Sequence, residues 1–164
     1  MNGRNQKFRP LVRLSISSDR IEDRDIAGIL AVTSAELLSC PNYTTPPLGL
    51  AVREPNSGSV RFHFHKRRPE ARRLEAARFL ADNILAANSD NWFPLTDSKT
   101  VRQKVQRAFA AEFLCPVQSV IDFLNGDYSS EHLEDAAAHY GVSSYVIERH
   151  LTNADLIQAP EFTW

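Results

Sequence analysis

The sequence predicts an α+β, predominantly helical domain: a small β-hairpin packed on a helical core and closed by a C-terminal helix-turn-helix-like pair. Three observations carry this. Apolar residues recur three and four apart over residues 19–38, 69–87, 100–115 and 133–151, the spacing of helices with one buried face. Two short β-prone stretches, Leu48-Gly49-Leu50-Ala51-Val52-Arg53 and Ser59-Val60-Arg61-Phe62-His63-Phe64-His65, flank the turn-forming run Glu54-Pro55-Asn56-Ser57-Gly58. Pro41, Pro46, Pro47, Pro69 and Pro116 fall at the boundaries of these stretches, where a missing N–H costs least.

Taken in order, residues 1–18 form a basic N-terminal segment in which Leu11-Val12-Arg13-Leu14-Ser15-Ile16 alternates as a short strand does. A single helix is predicted from Asp19 to Leu38. Asp19 is its N-cap, Glu22 completes a capping box, and Ile26, Ile29, Leu30, Leu37 and Leu38 form its apolar stripe. The hairpin follows. Pro69 suits the first turn of the next helix, to Ala87, with Leu74, Ala77, Phe79, Leu80, Ile84 and Leu85 inward. Trp92-Phe93-Pro94 is assigned to a loop. Thr100 to Cys115 is a helix with Val101, Val105, Ala108, Phe109 and Phe113 along its inner side, and Pro116 opens a shorter one that Asn125-Gly126 ends. The domain spans residues 19–157, with 132–157 as the helix-turn-helix-like subregion and 158–164 as a tail.

Composition narrows the function classes. The chain has 164 residues, 43% hydrophobic and 24% charged, which fits one globular domain and excludes a disordered polymer. No apolar run approaches the ~20 residues a bilayer span needs, and the N-terminus lacks the apolar stretch of a secretion signal. A cytoplasmic protein without membrane contact is expected, with Cys40 and Cys115 as buried, reduced thiols. The net charge of −1 hides a polarity. Residues 61–73 carry six bases (Arg61, Lys66, Arg67, Arg68, Arg72, Arg73) against Glu70, and residues 99–107 carry four bases and no acid. Residues 122–164 carry eight acids against Arg149 alone. Such asymmetry constrains partners more than fold.

Two stretches carry a family pattern. One is Arg72-Arg73-Leu74-Glu75-Ala76-Ala77-Arg78-Phe79-Leu80-Ala81-Asp82-Asn83-Ile84-Leu85. The other is Gln106-Arg107-Ala108-Phe109-Ala110-Ala111-Glu112-Phe113-Leu114-Cys115-Pro116. Together they resemble the paired core helices of the ImmA/IrrE-type metallopeptidase family, over roughly residues 48–157. The family's first helix places His-Glu-x-x-His after an arginine and a few apolar residues. Its second helix ends in an Asn-x-Phe-Ala-Ala-x-Leu-Leu-x-Pro-like run. The resemblance implies a zincin-like core in a bacterial-type regulator. Some family members cleave repressors of helix-turn-helix type in stress response or mobile-element control.

The chemistry does not carry over. The resemblance puts Arg78 at the first histidine, Phe79 at the glutamate, Asp82 at the second histidine and Val105 at the third ligand. Two imidazoles four apart share a helix face and one zinc ion, while the glutamate activates bound water. A guanidinium, a benzyl ring and an isopropyl group do neither. The chain is therefore expected to be a degenerate member: no catalytic residue, no cofactor, and regulation through protein–protein contact. Glu75, Arg78 and Asp82 are expected to pair along their own helix and fill the former cleft. A displaced metal site would need His63 and His65 with Asp82 or Glu75, whereas paired histidines beside phenylalanines also suit the polar face of a strand. His132, His139 and His150 are expected to be solvated. No Gly-x-Ser-x-Gly motif or phosphate-binding glycine loop is present.

For partners, Lys66, Arg67, Arg68, Arg72 and Arg73 form a basic patch beside Phe62 and Phe64. It suits an acidic protein, the acidic C-terminus of another copy, or a nucleic acid stacked on the aromatics. In the C-terminal pair, Gly141 marks the turn, and Ser144, Tyr145, Glu148 and Arg149 would face a major groove. The surrounding acids oppose phosphate there. Three readings remain: a regulatory protein-binding domain, a nucleic-acid-binding regulator, and a metallopeptidase with a rearranged site.

Overall fold

The computed structural model describes residues 20–38, 48–54, 60–87 and 89–158. In chain order these form α1 (Asp23–Leu30), α2 (Ser34–Leu38), β1 (Gly49–Arg53), β2 (Val60–His63), α3 (Pro69–Leu85) and β3 (Trp92–Leu95). There follow α4 (Val101–Leu114), α5 (Val117–Leu124), α6 (Ser130–Tyr140) and α7 (Ser144–Asn153). The fold is α+β and mostly helical, with one antiparallel three-stranded sheet in the order β2-β1-β3. The basic segment 1–18, the Asp19 cap, Cys40, the hairpin turn 55–59 and residues 159–164 lie outside the described residues.

The predicted single helix over residues 19–38 is two. Ala31 adopts a left-handed conformation (φ 55°), which ends α1. The Asp25 carboxylate accepts the Glu22 N–H at 3.1 Å, so the cap sits three residues later than the sequence pattern suggested. α2 then starts with its own capping box. Thr33 Oγ1 accepts the Glu36 N–H (3.1 Å), and Glu36 Oε2 accepts the Thr33 N–H (2.7 Å).

The hairpin forms as predicted, Leu50 opposite His63 and Val52 opposite Arg61. Trp92-Phe93-Pro94, expected in a loop, belongs instead to β3, which pairs with the free side of β1. Proline is tolerated because β3 is an edge strand, where its missing donor leaves no ladder bond unmade. Phe93 and Leu95 point inward, Trp92 and Pro94 outward.

Helix α3 crosses the inner face of this sheet and serves two cores. Ala76 and Ala77 join Ile26, Leu37, Leu114, Val120, Tyr140, Ile147 and Leu151 in the larger one. Phe79 joins Ala51, Phe93 and Leu95 in the smaller. Phe62 and Phe64 pack against both cores, with their rings 5.3 and 5.9 Å from that of Phe79. The inward assignments of Ala77 and Phe79 hold, and Leu74 and Leu80 are half-buried, but Ile84 and Leu85 are exposed.

The first half of helix α4 reverses its expected orientation, whereas Phe109 is half-buried and Phe113 packs against the larger core as expected. Val101, Val105 and Ala108 face solvent, while Gln103, Gln106, Ala110 and Leu114 are buried. The physical reason lies across the interface: α4 packs on the charged side of α3, where amide groups match their neighbours and valines do not.

Candidate functional site

Five charged side chains of α3 are buried: Arg72, Arg73, Glu75, Arg78 and Asp82. A buried charge is tolerated when paired or hydrogen-bonded, and each finds its partner outside α3. Glu75 accepts the backbone N–H groups of His65 (3.0 Å) and Lys66 (3.1 Å), pinning the segment after β2 onto α3. Burial pushes its carboxyl above the ordinary value, against the lowering effect of those N–H groups. β1 passes so close that Gly49 is required: a Cβ there would overlap Glu75 Oε1 and stand 3.4 Å from the Leu95 Cβ.

Arg78 occupies the middle of the α3–α4 interface. Its Nη2 donates to the Thr96 carbonyl at 2.8 Å, to Gln106 Oε1 at 3.3 Å and to Gln103 Oε1. Gln103 Nε2 donates in turn to the Pro94 carbonyl at 3.3 Å, tying β3 to both helices. Desolvation, then the nearby Arg107 charge, lowers the Arg78 pKa from its usual value. One turn on, Asp82 Oδ1 pairs with Arg102 Nε at 2.9 Å. Three buried atoms here have no protein partner: Arg78 Nε, Asp82 Oδ2 and Gln106 Nε2.

These contacts correct the expected Glu75–Arg78–Asp82 trio. The three do not neutralise one another along α3; sheet-side amides, two glutamines and Arg102 hold them instead. Phe79, which the resemblance puts at a glutamate, is fully in the core. Val105, which the resemblance puts at a third ligand, faces outward, and Gln106 is the residue that meets α3. His63 is exposed on β2, His65 lies beyond the strand, and Asp82 is committed to Arg102. Among the described residues no three His, Cys, Asp or Glu side chains converge as a metal-ion group. The buried Cys115 thiol has its pKa pushed up to about 12, which suppresses the thiolate needed for nucleophilic chemistry.

The basic patch divides. Arg72 and Arg73 are interior side chains, contrary to expectation. Arg72 donates to the Leu37 and Glu36 carbonyls (2.6 and 2.7 Å) at the end of α2, with its guanidinium over the Phe64 ring. Arg73 donates to the carbonyls of Tyr140 (3.4 Å) and Gly141 (3.0 Å) at the end of α6 and to Ile21 (2.7 Å), and it pairs with Asp23. Each arginine thus satisfies orphan carbonyls at another helix's C-terminus. Arg67 and Arg68 stay exposed, Lys66 pairs with Asp97, and Phe62 and Phe64 stack inward rather than offering a platform for bases.

In the C-terminal pair, Gly141 takes the left-handed turn conformation (φ 64°) between α6 and α7. Tyr145 and Arg149 are exposed, whereas Ser144 and Glu148 are partly covered. A cleft of about 480 Å³ lies between this turn and the starts of α1 and α3. Arg20, Arg68 and Arg73 line it with Asp23 and Glu70, so its charge is mixed. Of the three histidines expected in solvent, His132 is exposed beside Asp127. The His139 ring lies tilted against Phe123, with centroids 4.8 Å apart, and His150 Nε2 is buried without a hydrogen-bond partner.

The local sequence carried one signal for the glutamines. Gln103, Gln106 and Ala110 follow a helical spacing, but their amides gain meaning only opposite Arg78. Comparison with protein-family models, with curated proteins and with solved structures gives no match.

Proposed function

We propose that this chain is a non-catalytic regulatory domain of the metallopeptidase-like kind its sequence resembles, acting by binding protein rather than cutting it. One observation carries the reading. Where the resemblance expects two imidazoles, a carboxylate base and a third ligand, α3 and α4 present Arg78, Phe79 and Asp82 closed off by Gln103, Gln106 and Arg102. A guanidinium at the centre repels a cation, and a carboxylate ion-paired to arginine is a poor metal ligand. No group there can activate a metal-bound water as the missing glutamate would. What the side chains do instead is lock two helices and the edge of the sheet into one register.

The test is elemental analysis of protein purified without chelator and dialysed against zinc, together with proteolysis assays on unfolded substrates. The expected result is zinc well below one equivalent and no cleavage. One tightly held zinc per chain, with cleavage lost on adding a chelator, would refute the reading.

A further inference from the structure

The first two turns of α4 face their valines outward. Because Gln103 and Gln106 meet the buried charges of α3, Val101 and Val105 are left to solvent, while Ala110 and Leu114 keep the later turns in the core. Val101 is 77% exposed and Val105 43%, with Ala108 beside them. The helices run antiparallel, since Arg78 meets Gln106 and Asp82 meets Arg102. The end of α3 therefore adjoins the start of α4, and there Ile84 and Leu85 are 58% and 65% exposed. The charges on this side are mostly positive: Lys99, Arg102, Lys104 and Arg107 stand against Glu112 near the end of α4 and Asp97 before it, and Asp97 is paired with Lys66. Asp82 offsets Arg102 alone.

A second side of the molecule has the opposite sign. Residues 122–138, on α5 and α6, hold Asp122, Asp127, Glu131, Glu134 and Asp135, all exposed, and no lysine or arginine. Exposed Phe123 lies among them, and Tyr145 and Leu156 follow on and after α7. The two sides are separated by α3. Arg73 reaches the α6–α7 turn and Asp82 reaches α4. Nine residues apart, they project about 180° from one another around the helix. A mostly basic face on α4 and an acidic one on α5 and α6 thus lie on different elements, and among the described residues no ion pair joins them.

We propose that this protein associates with itself head to tail, the outer face of α4 in one copy seating on the acidic α5–α6 face of the next. Complementary potential steers and registers the contact, and Val101, Val105 and Phe123 supply apolar area that is otherwise wetted. The contact is heterologous, so each added copy leaves one free face of each kind and growth does not stop at a dimer. The proposal stands apart from the non-catalytic reading, because zinc content does not depend on it.

Sedimentation equilibrium tests it on the full chain. Between about 0.01 M and about 1 M salt the screening length falls from about 30 Å to about 3 Å. The average mass should rise past the dimer with concentration at low salt and return to monomer at high salt. Lys99→Gln/Lys104→Gln removes charge from one face and Glu134→Gln/Asp135→Asn from the other. All four residues are exposed, so circular dichroism should be unchanged. Each variant alone should associate about tenfold more weakly, and an equimolar mixture should recover one interface and stop at a heterodimer. A monomeric wild type at low salt, association that persists at high salt, or a mixture without recovery overturns the proposal. The first of these results leaves an acidic partner of another kind as the occupant of α4.

Discussion

Glu75 shows how much one side chain organises. It holds the segment after β2, forces glycine at position 49 and remains costly because it is buried. Since the folded state keeps the Glu75 proton more tightly than the unfolded chain, it binds more protons in the range above the ordinary value of 4.5. The favourable contribution is full below that value and is lost as pH rises through the folded one. Glu75→Gln cannot titrate, so its stability relative to wild type should increase over the same rise, as urea unfolding at several pH values would show. Other groups cancel in the difference; a pH-independent difference would exclude the effect. Gly49→Ala should cost about 1–3 kcal/mol, because either the carboxylate or β1 must move. Arg73→Ala should cost about 3 kcal/mol or more, since it strands Asp23 and two helix-end carbonyls. That loss would appear in thermal unfolding and not only in a binding assay, which separates an interior arginine from a surface one.

At the scale of elements, local signals explain the boundaries well. Pro69 at the first position of α3, Asn125 at the end of α5 and Gly141 after α6 all sit where their backbone preferences place them. Thr100 caps α4 by accepting the Gln103 N–H at 3.3 Å, and Thr100→Ala should cost about 1 kcal/mol of stability by chemical denaturation. The single helix predicted from the sequence runs straight through the Thr33-x-x-Glu36 box. That box marks the start of α2, and with it the break in what looked like one helix. Which face each helix buries was less legible. Periodicity finds a stripe, and the usual assumption is that the apolar one goes inward. For the first turns of α4 that assumption fails, because the surface they meet is built from Arg78 and Asp82. Val105, which the resemblance puts at the third ligand, therefore faces outward, and its neighbour Gln106 meets α3. β3 escaped notice because Pro94 argues against a strand until an edge position makes it harmless.

For the whole molecule, the C-terminal pair α6 and α7 is part of the main core rather than an appended module. Leu133, Ala136, Ala137, Tyr140, Val142, Val146, Ile147 and Leu151 are buried together with Ile26, Leu30, Ala76 and Leu114. Truncation after Gly126 should therefore abolish cooperative unfolding of what remains, followed by far-UV circular dichroism against temperature. A fragment that still melts sharply would show the pair to be separable. No helix among the described residues is long and apolar enough to cross a membrane.

The sequence alone determined the mixed, mostly helical class, the hairpin, most helix limits and the absence of His-Glu-x-x-His, because caps, turns and residue identities act over a few positions. Tertiary structure alone decided that Arg72 and Arg73 are internal caps, that the α3 charges are held by glutamines and backbone, and that α4 turns its valines outward. Those outcomes depend on which surface lies opposite, and the free energy of a buried charge is set by neighbours that are distant along the chain.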